Sequence, residues 1–241
     1  MEFVPVALAV FSLLSLGQTA PVTNCESLTQ RLEVQGRDQL LGKWTYIAES
    51  TDLPGSKILT KMFAETSWWN ITAADQINVL TSFQSVKMMG LCFSLTSNMS
   101  LESNTLQMEK PFQSIAALLN TGCPDCMVLY SNYTLGRNSY YGLQLLSRRP
   151  KVSAAELEEF SKQLECLNLP SATVLDPEKG FCPDPSLSQE GTTFDLTSSF
   201  NSIDSDDLNQ MDKMFRSGKG VMMLVDTLNT FFGSTAKVMK N

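Results

Sequence analysis

The sequence contains no histidine. That absence removes the Ser-His-Asp and Cys-His nucleophile systems, the His-Glu-x-x-His zinc site and every general base built on imidazole. Catalysis by carboxylates alone is all that remains, and the chain reads as a binding protein rather than an enzyme, with no metal site and no cofactor. Clusters of Lys and Arg are also missing. With 18 basic against 25 acidic residues and a net charge of −7, the chain offers no footprint for a phosphate backbone, so nucleic acid is excluded as a partner. Past the N-terminus no run of apolar residues is long enough to span a bilayer, and no integral membrane contact is expected.

One shorter apolar run is present. Val4 to Leu16 is almost uninterrupted and is followed by Gly17-Gln18-Thr19-Ala20, the pattern of a secretory signal peptide over residues 1–20, cleaved near Ala20. Secretion into plasma or another body fluid then decides how the cysteines are read. All six, Cys25, Cys92, Cys123, Cys126, Cys166 and Cys182, lie beyond that segment. An even number in an oxidising compartment points to three disulfides, and six cysteines allow fifteen pairings. Three Asn-x-Ser/Thr sequons, at Asn70, Asn98 and Asn132, fit the same compartment.

Between about Gly42 and Ser147 the chain breaks into short segments rich in β-branched and aromatic residues, separated by Gly, Asn, Asp, Ser and Pro. This is the spacing of an antiparallel meander. Eight candidate strands run roughly as Gly42–Ser50, Lys61–Trp69, Gln76–Ser85, Gly90–Ser97, Leu101–Glu109, Phe112–Leu119, Cys126–Tyr133 and Ser139–Ser147. The period then changes. Val152, Ala155, Leu157, Phe160, Leu164 and Leu167 recur at helical intervals, and Ser153 with Glu156 forms a capping box. The helix is expected to end near Asn168, ahead of Leu169-Pro170. Strands followed by one helix predict an all-β fold, a sheet closed into a barrel with the helix packed outside.

Glycosylation gives a test of which way the strands face. A glycosylated asparagine must point outward, and Cys92 lies six residues from Asn98, so in a regular strand both face out while Leu91, Phe93, Leu95 and Ser97 face in. An outward Asn132 likewise turns Met127, Leu129, Ser131 and Tyr133 inward.

The chain resembles the lipocalins over about Cys25 to Pro183. The residues that carry the resemblance are Gly42-Lys43-Trp44-Thr45-Tyr46-Ile47-Ala48, matching the Gly-x-Trp opening of the first strand; Tyr141-Gly142-Leu143 through Arg149-Pro150 at the last strand; and Glu156-Leu157-Glu158-Glu159-Phe160 through Leu164-Glu165-Cys166-Leu167 in the helix. Within that superfamily it looks most similar to the branch of α1-acid glycoprotein and apolipoprotein M, which includes fish plasma proteins that bind tributyltin or saxitoxin and tetrodotoxin. The resemblance implies an eight-stranded antiparallel up-and-down barrel. It places Gly42 and Trp44 at the closed floor against a basic side chain, Arg148 or Arg149, a cation over an indole face. The family's Thr-Asp-Tyr-like motif survives only as Asn132-Tyr133-Thr134. The branch pattern also implies Cys25–Cys166 and Cys92–Cys182, which leaves Cys123 and Cys126 as a local pair in a turn between strands.

On this reading a monomer would enclose a small hydrophobic or amphipathic ligand, a lipophile, xenobiotic or toxin, between inward residues near the open end. The expected contacts are Tyr46, Ala48, Phe93, Leu95, Met108, Leu129, Ser131, Tyr133, Leu143 and Leu145. Trp68 and Trp69 must face opposite ways. Leu106, Gln107 and Met108 on the fifth strand carry no charge, which favours a neutral ligand. The rival readings are an acute-phase or immunomodulatory glycoprotein acting through its surface and glycans, and a lipocalin isomerase with a free cavity thiol. The domain reading is a barrel over 21–183 and an acidic tail over 184–241, polar through Gln210 and then patched with Met214-Phe215, Val221 to Val225 and Phe231-Phe232. The tail is expected to be weakly ordered and without a function of its own.

Overall fold

The meander closes on itself. The computed structural model describes residues 24–184 and 193–238; the expected signal peptide lies outside the described residues. The strands are β1 (Gly42–Thr51), β2 (Ala64–Ala73), β3 (Val79–Met88), β4 (Leu91–Glu102), β5 (Thr105–Met108), β6 (Ser114–Leu119), β7 (Cys126–Leu135) and β8 (Asn138–Ser147). Each pairs antiparallel with the next and β8 returns to β1, so the sheet forms an up-and-down barrel. The seam between β4 and β5 is short, joining Ser100–Glu102 to Thr105–Gln107.

Most strand ends differ from the sequence reading by a few residues, and two of the differences have a plain physical cause. Lys61–Phe63 belong not to the second strand but to the last turn of helix α2 (Ser56–Phe63), which follows the short N-terminal helix α1 (Cys25–Leu28). Helical spacing buries Phe63 and half-buries Leu59, and it leaves Ile58 and Met62 exposed. Leu101 and Glu102 end β4 rather than begin β5, because the chain turns at Ser103 and Asn104, both at positive φ.

Helix α3 (Ala154–Cys166) opens with the expected capping box. It buries Phe160 and Leu164 against Ile47, Ala48, Val128, Leu143 and Leu145 on the outside of the barrel. Cys25–Cys166 ties α1 to α3, Cys92–Cys182 ties β4 to the segment after the barrel, and Cys123–Cys126 closes the turn before β7. The first of these bridges spans 141 residues. Restricting an unfolded loop of that size is worth roughly 5 kcal/mol in the chain-entropy model.

The tail departs most from its composition. Residues 193–238 form a strand β10 (Thr193–Asp195), preceded by the two-residue β9 (Thr173–Val174), and three helices, α4 (Thr197–Asn201), α5 (Ser205–Arg216) and α6 (Gly218–Val238). The acidic run that reads as disordered is in part a helix start. Asp204 accepts from the amides of Asp206 and Asp207, and Asp207 reaches back to the Asp204 amide. Val221, Val225, Leu228 and Phe232 then fall on one face of α6, and Val225, Leu228 and Phe232 pack with Phe63, Leu91 and Phe93 at the open end of the barrel.

Candidate functional site: the barrel cavity

One extra residue in β1 decides what the cavity is made of. Tyr46 pairs with Leu146 and Ala48 with Leu145, so Ile47 is a β-bulge that reverses the inside-outside alternation. Tyr46 points inward, Ile47 and Ala48 point outward under α3, and Glu49 and Thr51 point inward again. Their β8 partners follow: Leu146, Gln144 and Gly142 face in, whereas Leu143 and Leu145 lie under α3.

The enclosed space is about 340 Å³, within the range of small-molecule sites. Of the contacts expected from sequence, Tyr46, Leu95, Met108, Leu129, Ser131 and Tyr133 line it together. Three are corrected: Ala48, Leu143 and Leu145 belong to the buried layer beneath α3. Phe93 sits at the rim, stacked on Phe194 and edge-on to Phe232. The sequence reading missed Glu49, Gln84, Gln144, Met99 and Phe112, all on the wall. Alternation along β4, continued from Leu95 and Ser97, could have found Met99; on β8 the inward expectation for Leu143 and Leu145 turns Gln144 the wrong way.

Trp69 lines the cavity and meets Tyr46 edge-on. Trp68 turns outward, donates from Nε1 to the Cys182 carbonyl at 3.0 Å, and carries the Lys43 ammonium over its ring. At the floor Arg148, not Arg149, takes the expected place. Its guanidinium stands 3.5 Å from the Trp44 ring centre and donates to the carbonyls of Lys43 and Leu41. Gly42, at φ +92, lies beside that guanidinium. Arg149 turns away to Asp125 and Glu156.

Among the described residues, Glu49 is the one charged side chain on the cavity wall, and no Lys or Arg lines it. Its carboxylate accepts from the Tyr46 hydroxyl at 3.2 Å and from Thr60 of α2 at 2.6 Å. Burial, reinforced by Glu49, pushes the Tyr46 phenol well above its usual range. Burial pushes Tyr133 up to about 12 even though Thr51, at 2.6 Å, shares a hydrogen bond with it. Both phenols therefore stay neutral at physiological pH.

The one grouping of metal-ligating residue types among the described residues is Cys123, Asp125, Cys126 and Glu156. Its sulfurs are joined in a disulfide and its carboxylates are held by Arg149. The sequons fall on outward positions: Asn70 between inward Trp69 and Ile71, Asn98 exposed on β4, and Asn132 between inward Ser131 and Tyr133. No helix of the described residues is long and apolar enough to cross a membrane.

The family model for the ApoM domain matches residues 20–183. Among solved structures the chain is similar to the siderocalin Ex-FABP, at 15% identity and a TM-score of 0.51 over 65% of this chain and 99% of that one. It is also similar to the bovine lipocalin allergen Bos d 2, at 16% identity and a TM-score of 0.49 over 61% and 98%. No curated protein matches it. With the family model spanning most of the chain and a lipocalin barrel beneath it, the protein belongs to the ApoM family of lipocalins.

Proposed function

We propose that this protein is a secreted carrier that holds one small, neutral, apolar or amphipathic molecule in the barrel. The observation that carries the reading is the cavity: about 340 Å³, walled by Leu95, Met99, Met108, Phe112 and Leu129, with polar groups at intervals, one carboxylate, Glu49, that is already hydrogen-bonded to Tyr46 and Thr60, and no basic side chain among the described residues. The indole N–H of Trp69 is buried without a protein acceptor and can donate to a ligand oxygen, which suits an amphipathic guest. A ligand burying about 300 Å² of apolar surface gains roughly 7 kcal/mol before the costs of association. Pairing of all six cysteines supports binding over a thiol-dependent isomerase. The bridges, with the outward sequons, support an extracellular location.

Trp69 supplies the assay. Retinol, a fatty acid, a steroid and an organotin are titrated against tryptophan fluorescence, with Trp69→Phe as the control. Saturable quenching in the wild type that is lost in Trp69→Phe is the expected result. Absence of saturable quenching across the whole panel would overturn the carrier reading.

A further inference from the structure

We propose that residues Thr193–Asn201 are an added wall of the ligand cavity and that Phe200 sets the length of guest the cavity admits. This inference rests on the carrier reading.

The barrel leaves a place for such a wall. β4 holds β5 only over Ser100–Glu102, and the half of β4 toward the open end has no β5 partner. Unpaired strand edges inside a protein leave amides and carbonyls without partners, which is costly. β10 fills that edge in parallel, aligning Thr193 with Cys92, Phe194 with Phe93 and Asp195 with Ser94. The pairing continues past the strand: the Leu196 amide donates to the Ser94 carbonyl at 2.8 Å, and the Thr96 amide donates to Thr197 Oγ1 at 3.0 Å.

Directly after this segment α4 turns Phe200 onto the cavity it shares with Leu95, Met108 and Phe112. α5 and α6 lie across the open end, Phe232 of α6 stacks on Phe63 of α2 at 5.8 Å, and Val221 packs into the space that a side chain at Gly55 would need. Phe200 is thus a boundary of the cavity contributed by a segment beyond the matched family domain, which ends at residue 183. Guest size can then be altered through the tail without altering the barrel.

The test measures competition by a series of straight-chain alcohols, from octanol to hexadecanol, against N-phenyl-1-naphthylamine bound to the full-length protein. Each methylene that fits gains about fourfold in affinity, and the gain stops where the chain meets a wall. Phe200→Ala is expected to move that break to longer alcohols by about two methylenes, an affinity gain of about sixteenfold for the longest guests. Phe200→Trp is expected to move it the opposite way. A merely structural role for Phe200 would weaken all alcohols together and leave the break in place, and an unmoved break in both variants overturns the inference while the carrier reading stands. No saturable probe binding by the wild type would instead sink both.

Discussion

The Tyr140 hydroxyl donates to Asp212 Oδ1 at 2.5 Å, joining the β7–β8 hairpin of the barrel to helix α5 of the tail. Asn138 donates to the other oxygen at 2.7 Å, Asp212 is 5% exposed, and the Asn209 backbone lies where a side chain at Gly136 would stand. Hydrogen bonds to a buried charge are worth about 1.5–3 kcal/mol each. Asp212→Ala is therefore expected to release the tail locally, raising amide exchange in α5 and α6 by at least about tenfold while β7 and β8 keep their protection. Equal loss of protection in tail and barrel would contradict this.

Alkaline titration tests the same contact from the other partner. Tyr140 is pushed up to about 12, first by burial and then by Asp212, and Tyr133 reaches about 12 chiefly through burial. A phenol whose proton is held more tightly in the folded state contributes its full stabilisation below its ordinary value of about 10 and loses it as pH rises to about 12. Phenolate absorbance is expected to show both groups ionising late, stability to fall between those pH values, and Tyr140→Phe to remove one late step while sparing the other.

Arg148→Ala removes both the cation over Trp44 and the donors to the Lys43 and Leu41 carbonyls. A loss of about 2 kcal/mol in denaturant unfolding is expected from these contacts together. Ligand affinity is expected to stay within about twofold, since Arg148 serves the floor rather than the guest. A large loss of binding with little loss of stability would reverse that assignment.

Leu145→Ala separates the two apolar layers of the barrel. Its side chain is 1% exposed and packs beneath α3, so truncation is expected to cost about 2–5 kcal/mol of stability. The cavity faces Gln144 instead. Alcohol binding by the folded variant is expected to remain unchanged, and a moved chain-length break would show that Leu145 does reach the guest.

Strand parity was legible wherever a sequon pinned one face. Asn98 and Asn132 place Leu95, Leu129, Ser131 and Tyr133 on the cavity side, and the structure has them there. β1 and β8 were not legible for two physical reasons. The bulge at Ile47 leaves no mark in composition, so regular alternation carried from Tyr46 turns Ala48 the wrong way. Hydrophobicity, moreover, reports burial but not the side on which burial occurs: α3 buries Leu143 and Leu145 from outside, while the cavity tolerates Gln144 and Gly142. In the tail, the aspartates around Asp204 were read as solvated chain because a capping box and a disordered acidic run share the same residues.

The Cys92–Cys182 bridge, which staples β4 to the segment after the barrel, also governs how the tail competes for its own binding place. Thr193 docks beside Cys92, and Cys182 is bonded to that cysteine. The docking strand is therefore joined covalently to its own binding place within eleven positions of sequence, from Cys182 to Thr193, so its docking is an intramolecular event. A free peptide or a neighbouring molecule's tail would have to compete against that intramolecular advantage to take the β4 edge. The same bridge that stabilises the barrel therefore shortens the covalent path between the tail and its docking edge, and a reductant would lengthen that path and weaken the tail's advantage over a competitor without removing it.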